Sequence, residues 1–315
     1  MQGMQQAVRG SVLEAIGDTP VVRLSKVVPP GSADVLVKLE YYNPTGSYKD
    51  RKALAMIQEA EARGELRPGM TVVEYTGGST GSSLAFVCAV KGYHFKVVSS
   101  DAFAPEKLQT MRAFGAELIL VPSRDGRITP DLIPSMIEVT RKLAQSPDVY
   151  WTDQFNNVDS LSGYETIGRE LLSQVTGPID AFCGGVGTGA MLVGVSRVLK
   201  VANSATRIVA LEPASAALIS TGKPGAHHVE GVGVGILPPL LTPGTFDEAR
   251  GIDEAEARVT ARRLAREEGI FAGTSSAMNV VGALALAREL GPGKTVVTVA
   301  VDSGLKYLAG DLFES

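Results

Sequence analysis

VLVKLEYYNPTGSYKDRKALAMIQEAEARG, residues 35–64, reads as a β-branched run, a loop and an amphipathic stretch closed by glycine. The run over 35–40 predicts a strand, and the stretch over 48–64 predicts a helix with Gly64 in the C-terminal stop position. Between them lies Asn43-Pro44-Thr45-Gly46-Ser47-Tyr48-Lys49-Asp50-Arg51, a loop that opens a helix. The same alternation continues along the chain. Strands are predicted at TVVEYT (71–76), FKVVSS (95–100), ELILVP (117–122), AFCGGV (181–186), RIVALE (207–212) and TVVTVAV (295–301). SSLAFVCAVKG (82–92), PDLIPSMIEVTRKLAQ (130–145) and DEAEARVTARRLAREEG (253–269) predict helices between them. Strands alternating with helices specify an α/β chain with mostly parallel sheets. The polar or helical region before AFCGGV suggests two lobes divided near residues 150–156.

Composition narrows the function classes. The chain has 315 residues, 44% hydrophobic and 20% charged, enough for one large or two ordinary domains. A net charge of -4 with interspersed signs supplies no basic stripe for nucleic acid and no polybasic arm for a membrane. Cys88 and Cys183 are far apart and the three histidines do not cluster, so no disulfide framework or metal ligand set is expected, only two reduced, buried thiols. The N-terminal residues lack a signal-peptide pattern, and no run of about 18 apolar residues occurs, so a cytoplasmic location is expected.

In open parallel sheets, ligands meet loops that follow strands and open helices. Three loops qualify. The first carries Lys49, which on its own spacing is equally a surface lysine. In the second, Thr76-Gly77-Gly78-Ser79-Thr80-Gly81, residues 77–81 fit the G-x-S-x-G of a hydrolase elbow, but His94, His227 and His228 are poor partners for a triad. The third, Gly185-Val186-Gly187-Thr188-Gly189-Ala190-Met191, fits G-x-G-x-x-A, and Glu212 follows where a dinucleotide site has its acid. Its glycines equally suit a monophosphate or a plain tight turn. The Gly-rich stretch 222–239 is expected beside the site.

Taken in order, these segments resemble the cysteine synthase and cystathionine β-synthase family, fold-type II (tryptophan synthase β-like) enzymes that use pyridoxal 5′-phosphate (PLP). Residues 43–51 resemble its NP-x-x-S-x-KDR lysine segment, 76–81 its T-S-G-N-T-G loop, and Gln154-Phe155-Asn156-Asn157 its QF-x-N segment. Tyr164-Glu165-Thr166-Ile167-Gly168 resembles the helix after that segment, and Gly187-Thr188-Gly189-Ala190-Met191 stands where the family has G-T-G-G-T. Glu230-Gly231-Val232-Gly233, Gly273-Thr274-Ser275-Ser276-Ala277 and Asp302-Ser303-Gly304 with Lys306-Tyr307-Leu308 complete the series. The resemblance implies two open α/β domains with the cofactor in the cleft between them. The smaller, movable one spans 41–155 and the larger 156–315, completed by 1–40. It implies that Lys49 holds PLP as a Schiff base and carries the α-proton. Gly185, Val186, Gly187, Thr188, Gly189 and Ala190 would take the phosphate, and Ser275 would face the pyridine nitrogen. Ser79 would meet both cofactor and substrate, and Thr76, Gly77, Gly78, Thr80 and Gln154 the substrate. The implied reaction is β-replacement on an activated L-serine such as O-acetyl-L-serine by sulfide or a thiol, through an aminoacrylate, in a homodimer. A β-eliminating lyase or dehydratase on the same scaffold, an NAD-binding oxidoreductase and a non-catalytic amino-acid binder are the alternatives. Family loops carry Ser-Gly-Asn where this chain has Gly77-Gly78-Ser79, which suggests that Gly77→Ser with Ser79→Asn improves use of O-acetyl-L-serine. Ala190 and Met191 also depart from the family's glycine and threonine.

Overall fold

The β-branched runs become strands that sort into two sheets. In the computed structural model, which describes residues 8–126 and 131–314, the strands are β1 Val21–Arg23, β2 Asp34–Leu39, β3 Thr71–Tyr75, β4 His94–Ser100, β5 Glu117–Val121, β6 Val149–Trp151, β7 Ala181–Gly185, β8 Arg207–Pro213, β9 Glu248–Ile252 and β10 Thr295–Ala300. One sheet runs β1-β2-β10-β7-β8-β9 and the other β5-β4-β3-β6. Every neighbouring pair is parallel except β1, which runs antiparallel to β2 with Val22 opposite Val37. All strands of the second sheet come from residues 71–151, whereas the first joins β1 and β2 to the C-terminal half.

The helices are α1 Lys49–Ala62, α2 Ser79–Lys91, α3 Pro105–Ala113, α4 Leu132–Leu143, α5 Asp159–Gln174, α6 Ala190–Ala202, the single turn α7 Leu218–Thr221, α8 Glu254–Arg263 and α9 Thr274–Leu290. They cover both faces of both sheets, which is why the central strands read as continuous apolar runs. On the six-stranded sheet, α5 and α6 bury Tyr164, Ile167, Leu192 and Val195 against one face, while Ala257, Met278 and Val281 from α8 and α9 fill the other. On the four-stranded sheet, Met56 of α1, Leu84 of α2 and Met111 of α3 share one core, and Met136 of α4 packs on Val73 and Val98 opposite.

The seven predicted strands are all present. The predicted helix at 130–145 is α4, with Pro130 lying outside the described residues. The helix predicted over 253–269 is α8 extended by one π-helical turn, Leu264–Glu268, and then stopped by Gly269 at φ +71°. Three strands were not expected: β1, β6 and β9. Each lies at a sheet edge, where pairing on one side needs little apolar patterning, and β1 and β6 are only three residues long. Cys88 and Cys183 are free and buried, and burial pushes both thiols up to about 12. Among the described residues no helix is long and apolar enough to cross a membrane.

Candidate active site

Lys49 is the first residue of α1, and the loop before it is held by its own short polar side chains. The Gly46 N–H donates to Asn43 O at 2.8 Å, closing a turn that takes Gly46 to φ +71°. The Asp50 carboxylate accepts from the Thr45 N–H at 2.8 Å and the Thr45 hydroxyl at 2.6 Å, folding the loop onto the helix start. Burial pushes the Asp50 carboxyl up. The Tyr48 N–H donates to Val301 O at 3.0 Å, fastening this segment to the end of β10. Lys49 Nζ therefore points into a cleft between the two sheets, where it donates to the Tyr48 hydroxyl at 3.1 Å and lies 4.4 Å from that ring's centre.

Gly78, Ser79, Gly185 and Ser275 also line this cleft, as do Gly231 and Val232 from the Gly-rich stretch. The second loop turns sharply after β3, with the Gly78 N–H donating to Thr76 Oγ1 at 3.1 Å, and Ser79 begins α2. Gly77 has a steric cause: a Cβ there would lie 2.1 Å from the Phe103 ring. The third loop follows β7. Gly187 packs so tightly that a Cβ would meet Gly231 O at 2.2 Å, and Gly189, at φ +82°, turns the chain into α6. Residues 185–190 are buried, yet the N–H groups of Gly187, Thr188, Gly189 and Ala190 take no acceptor among the described residues. The Gly185 N–H donates to Asn279 Oδ1 at 2.7 Å.

Thr76, Gly77, Thr80, Val186, Gly187, Thr188, Gly189 and Ala190 form the backbone frame of these two loops, while Gln154 stands apart. Its Nε2 donates to Tyr75 O at 3.1 Å, its Oε1 accepts from Lys52 Nζ at 2.9 Å, and its N–H donates to Glu74 Oε2 at 2.9 Å. It lies in a buried polar network beneath the second loop. Lys52 and Glu74 are both fully buried. Burial lowers the Lys52 ammonium well below its usual range and raises Glu74 to about 7.

The cleft also gathers charged side chains that the loop motifs did not single out. Lys107 of α3 forms an ion pair with Glu230 across the cleft. The Tyr307 hydroxyl donates to Asp302 Oδ2 at 2.6 Å, and Asp302 Oδ1 is buried without a partner in the described structure. Lys306 Nζ donates to Ser79 Oγ at 3.4 Å. Burial lowers the pKa of Lys107 and Lys306 and raises that of Asp302. Glu230, Asp302, Lys306 and Tyr307 stand in segments marked by the family resemblance, but Lys107 and Asn279 had no such marker. Pro105 at the first turn of α3 is the signal that could have placed Lys107 on a helix.

Two alternative readings lose their geometry. Among the described residues no histidine bonds Ser79: His227 Nε2 meets Gly233 O at 2.9 Å, His228 lies exposed beside Glu254, and His94 is exposed at the start of β4. A hydrolase triad is therefore not assembled. The Glu212 carboxylate accepts from the N–H groups of Ile219 and Ser220 at 2.8 and 2.7 Å, so it caps α7 instead of facing a ribose.

The chain matches the family "Pyridoxal-phosphate dependent enzyme" over residues 12–302. The chain belongs to the pyridoxal-phosphate dependent enzyme family. It is 42% identical over 312 residues to cysteine synthase from Staphylococcus aureus (strain Mu50 / ATCC 700699), covering 98% of this chain and 99% of that one. O-ureido-L-serine synthase from Streptomyces lavendulae is 39% identical over 306 residues, 96% of this chain and 92% of that one. The crystal structure of cysteine synthase from Entamoeba histolytica superposes with a TM-score of 0.93 at 31% identity, covering 100% of this chain and 94% of that one. The fold is thus that of the fold-type II, cysteine synthase-like members of the pyridoxal-phosphate dependent enzymes. The cleft fits the cofactor: Lys49 offers an amine, and the unpaired buried N–H groups of Gly187, Thr188, Gly189 and Ala190 at the start of α6 suit a phosphate.

Proposed function

We propose that this pyridoxal-phosphate dependent enzyme replaces the β-substituent of an activated L-serine, such as O-acetyl-L-serine, with sulfide or a thiol. The observation that carries the reading is Lys49 Nζ standing in a cleft shared by the second loop and the third-loop residue Gly185. The names of the similar proteins support it. Lys49 would hold the cofactor covalently through its amine, and the Ser275 hydroxyl would face the ring nitrogen. Gly187, Thr188, Gly189 and Ala190 would receive the phosphate on their backbone N–H groups, whereas the N–H groups of Gly185 and Val186 are already given to Asn279 Oδ1 and Leu211 O. When bound, the cofactor supplies the electron sink that lets a bond at the substrate β-carbon break. Lys49 would take the proton from the substrate α-carbon and return it after replacement. The Cβ–O bond breaks, the carboxylate of the activating group leaves, and sulfur bonds to Cβ in its place. Residues 76–80 would orient the substrate carboxylate and Ser79 would also approach the cofactor. Gln154 would act from beneath, through the loop it supports at Tyr75.

We further propose that the unit over 41–155 moves as the smaller domain against 156–315 and 1–40, excluding water from the cleft, and that the enzyme is a cytoplasmic homodimer. The family resemblance supports both statements, and the two unpaired, buried thiols suit a reducing compartment. Purified enzyme loaded with PLP, given O-acetyl-L-serine and sulfide, is expected to release one L-cysteine and one acetate per turnover. Pyruvate and ammonia as the main products would replace the reading with a β-eliminating lyase. Sedimentation equilibrium at twice the chain mass is the expected result for the homodimer.

A further inference from the structure

Around Ser79 the second loop assembles more positive character than its hydrogen bonds consume. The N–H groups of Ser79 and Thr80, at the start of α2, take no acceptor among the described residues. Lys306, from the turn after β10, brings its ammonium to 3.4 Å from Ser79 Oγ. Lys306 is half-buried, yet it forms no ion pair among the described residues. A half-buried cation without an ion partner is costly, and a bound anion would offset that cost. A Cβ at Gly78 would meet nothing within 4 Å, so the space beside these donors is open. Phe103 closes the alternative of a hydroxyl donor from position 77.

We infer that Lys306 is the cationic partner of the substrate's α-carboxylate, acting beside Ser79 to select amino acids whose carboxyl group is free. The inference rests on the amino-acid substrate proposed above and adds a binding residue from the turn Gly304–Tyr307 that reaches Ser79. One ammonium beside two adjacent N–H groups matches a two-oxygen anion. The nearby carboxylates Asp50 and Asp302 temper the positive field at Lys306, which suits a monoanion better than a dianionic phosphate.

The test uses the PLP-loaded full chain as wild type, Lys306→Gln and Lys306→Arg, with 3-chloro-L-alanine, its carboxamide and O-phospho-L-serine as donors. Lys306→Gln is expected to raise KM for the carboxylate about tenfold or more while changing kcat far less. It should leave KM for the carboxamide nearly unchanged, and Lys306→Arg should recover most of the loss. An equal loss with both donors overturns the assignment. A loss confined to O-phospho-L-serine also overturns it, because the anion sensed would then be the leaving group. Calorimetric binding of L-serine against L-serinamide scores Lys306 without turnover: loss of the preference for L-serine in Lys306→Gln supports the assignment, and its retention overturns it. A wild type inert toward every activated serine would remove the proposed reaction alone.

Discussion

Lys49 and Gly77 show two ways in which a single residue constrains the cleft. Lys49 is the cleft lysine at a helix start, while Lys107 is paired with Glu230 and Lys306 reaches Ser79. Lys49→Ala is therefore expected to abolish the visible absorbance band of the bound cofactor together with turnover. A borohydride-stable cofactor adduct on Lys107 or Lys306 in that variant would overturn the assignment. Gly77 is set by sterics. The sequence suggested that Gly77→Ser with Ser79→Asn would improve use of O-acetyl-L-serine, but a Cβ at 77 would overlap the Phe103 ring at 2.1 Å. Phe103 packs against the core of the four-stranded sheet and can yield only by disturbing it. Overpacking of this kind costs about 1–3 kcal/mol. Gly77→Ser is thus expected to lower stability toward urea and raise KM, with no rescue from Ser79→Asn. Improved kcat/KM in the double variant would show that Phe103 swings aside at little cost.

The elements were legible where burial on both faces wrote a continuous apolar run, as in Ala181 to Cys183 of β7 and Ile208 to Leu211 of β8. They were illegible where an edge strand needs little patterning, as in the EARGI of β9. The Gly-rich stretch was rightly expected beside the site, because Glu230, Gly231 and Val232 line it. Lys52 could not be foreseen, since a lysine four residues into a charged helix start reads as solvated. Its burial against Gln154 depends on β3 bringing Glu74 beneath α1. Glu74 has a consequence for pH. Burial raises its pKa from 4.5 to about 7, so the folded state holds the proton more tightly than the unfolded chain. That stabilisation is full below about pH 4.5 and is lost as pH rises through about 7. Lys52, depressed by burial, acts with the opposite slope at alkaline pH: its contribution is present above about 10.5 and is lost as pH falls toward its folded value. Glu74→Gln keeps an oxygen for the Thr152 hydroxyl and the Gln154 N–H and removes the titration. Between pH 4.5 and 7 the wild type is expected to lose stability relative to Glu74→Gln, by roughly 3 kcal/mol at most. Urea denaturation curves that stay parallel across that range would show that Glu74 titrates normally.

The molecule as a whole must keep Lys49 in register with both sheets, and the arrangement of Arg51 explains how. Arg51 is two residues from Lys49 on α1 and is buried, with Nε donating to Glu40 at 2.7 Å and Nη1 to Glu170 at 2.6 Å. Glu40 follows β2 and Glu170 lies on α5, so one guanidinium ties the lysine's helix to the half that contains the six-stranded sheet. Lys38 joins the network through Glu170 at 2.7 Å, and the close fit of Gly163 against Arg51 O, 2.5 Å from a built Cβ, presses α5 onto α1. Across the cleft mouth the Lys107 and Glu230 pair joins the same two halves. Arg51→Met would keep much of the volume but leave Glu40 buried without its cation and Glu170 with Lys38 alone. Breaking such a buried network by removing one partner costs about 3–5 kcal/mol. The pH dependence separates this from a simple packing loss. Burial alone would raise the Glu170 carboxyl, but its bonds to Arg51 and Lys38 outweigh burial and hold it at about 2. Its contribution is present above the ordinary carboxylate value near 4.5 and is lost as pH falls from there toward 2. The stability gap between wild type and Arg51→Met is therefore expected to be widest near neutral pH and to narrow as pH drops below about 4.5. The visible cofactor band should persist in the variant while kcat falls, because Lys49 is still present but its helix has lost an anchor. A gap that does not change with pH would assign the loss to packing between α1 and α5, and an unchanged kcat would mean that the apolar contacts of α1 hold Lys49 in place by themselves.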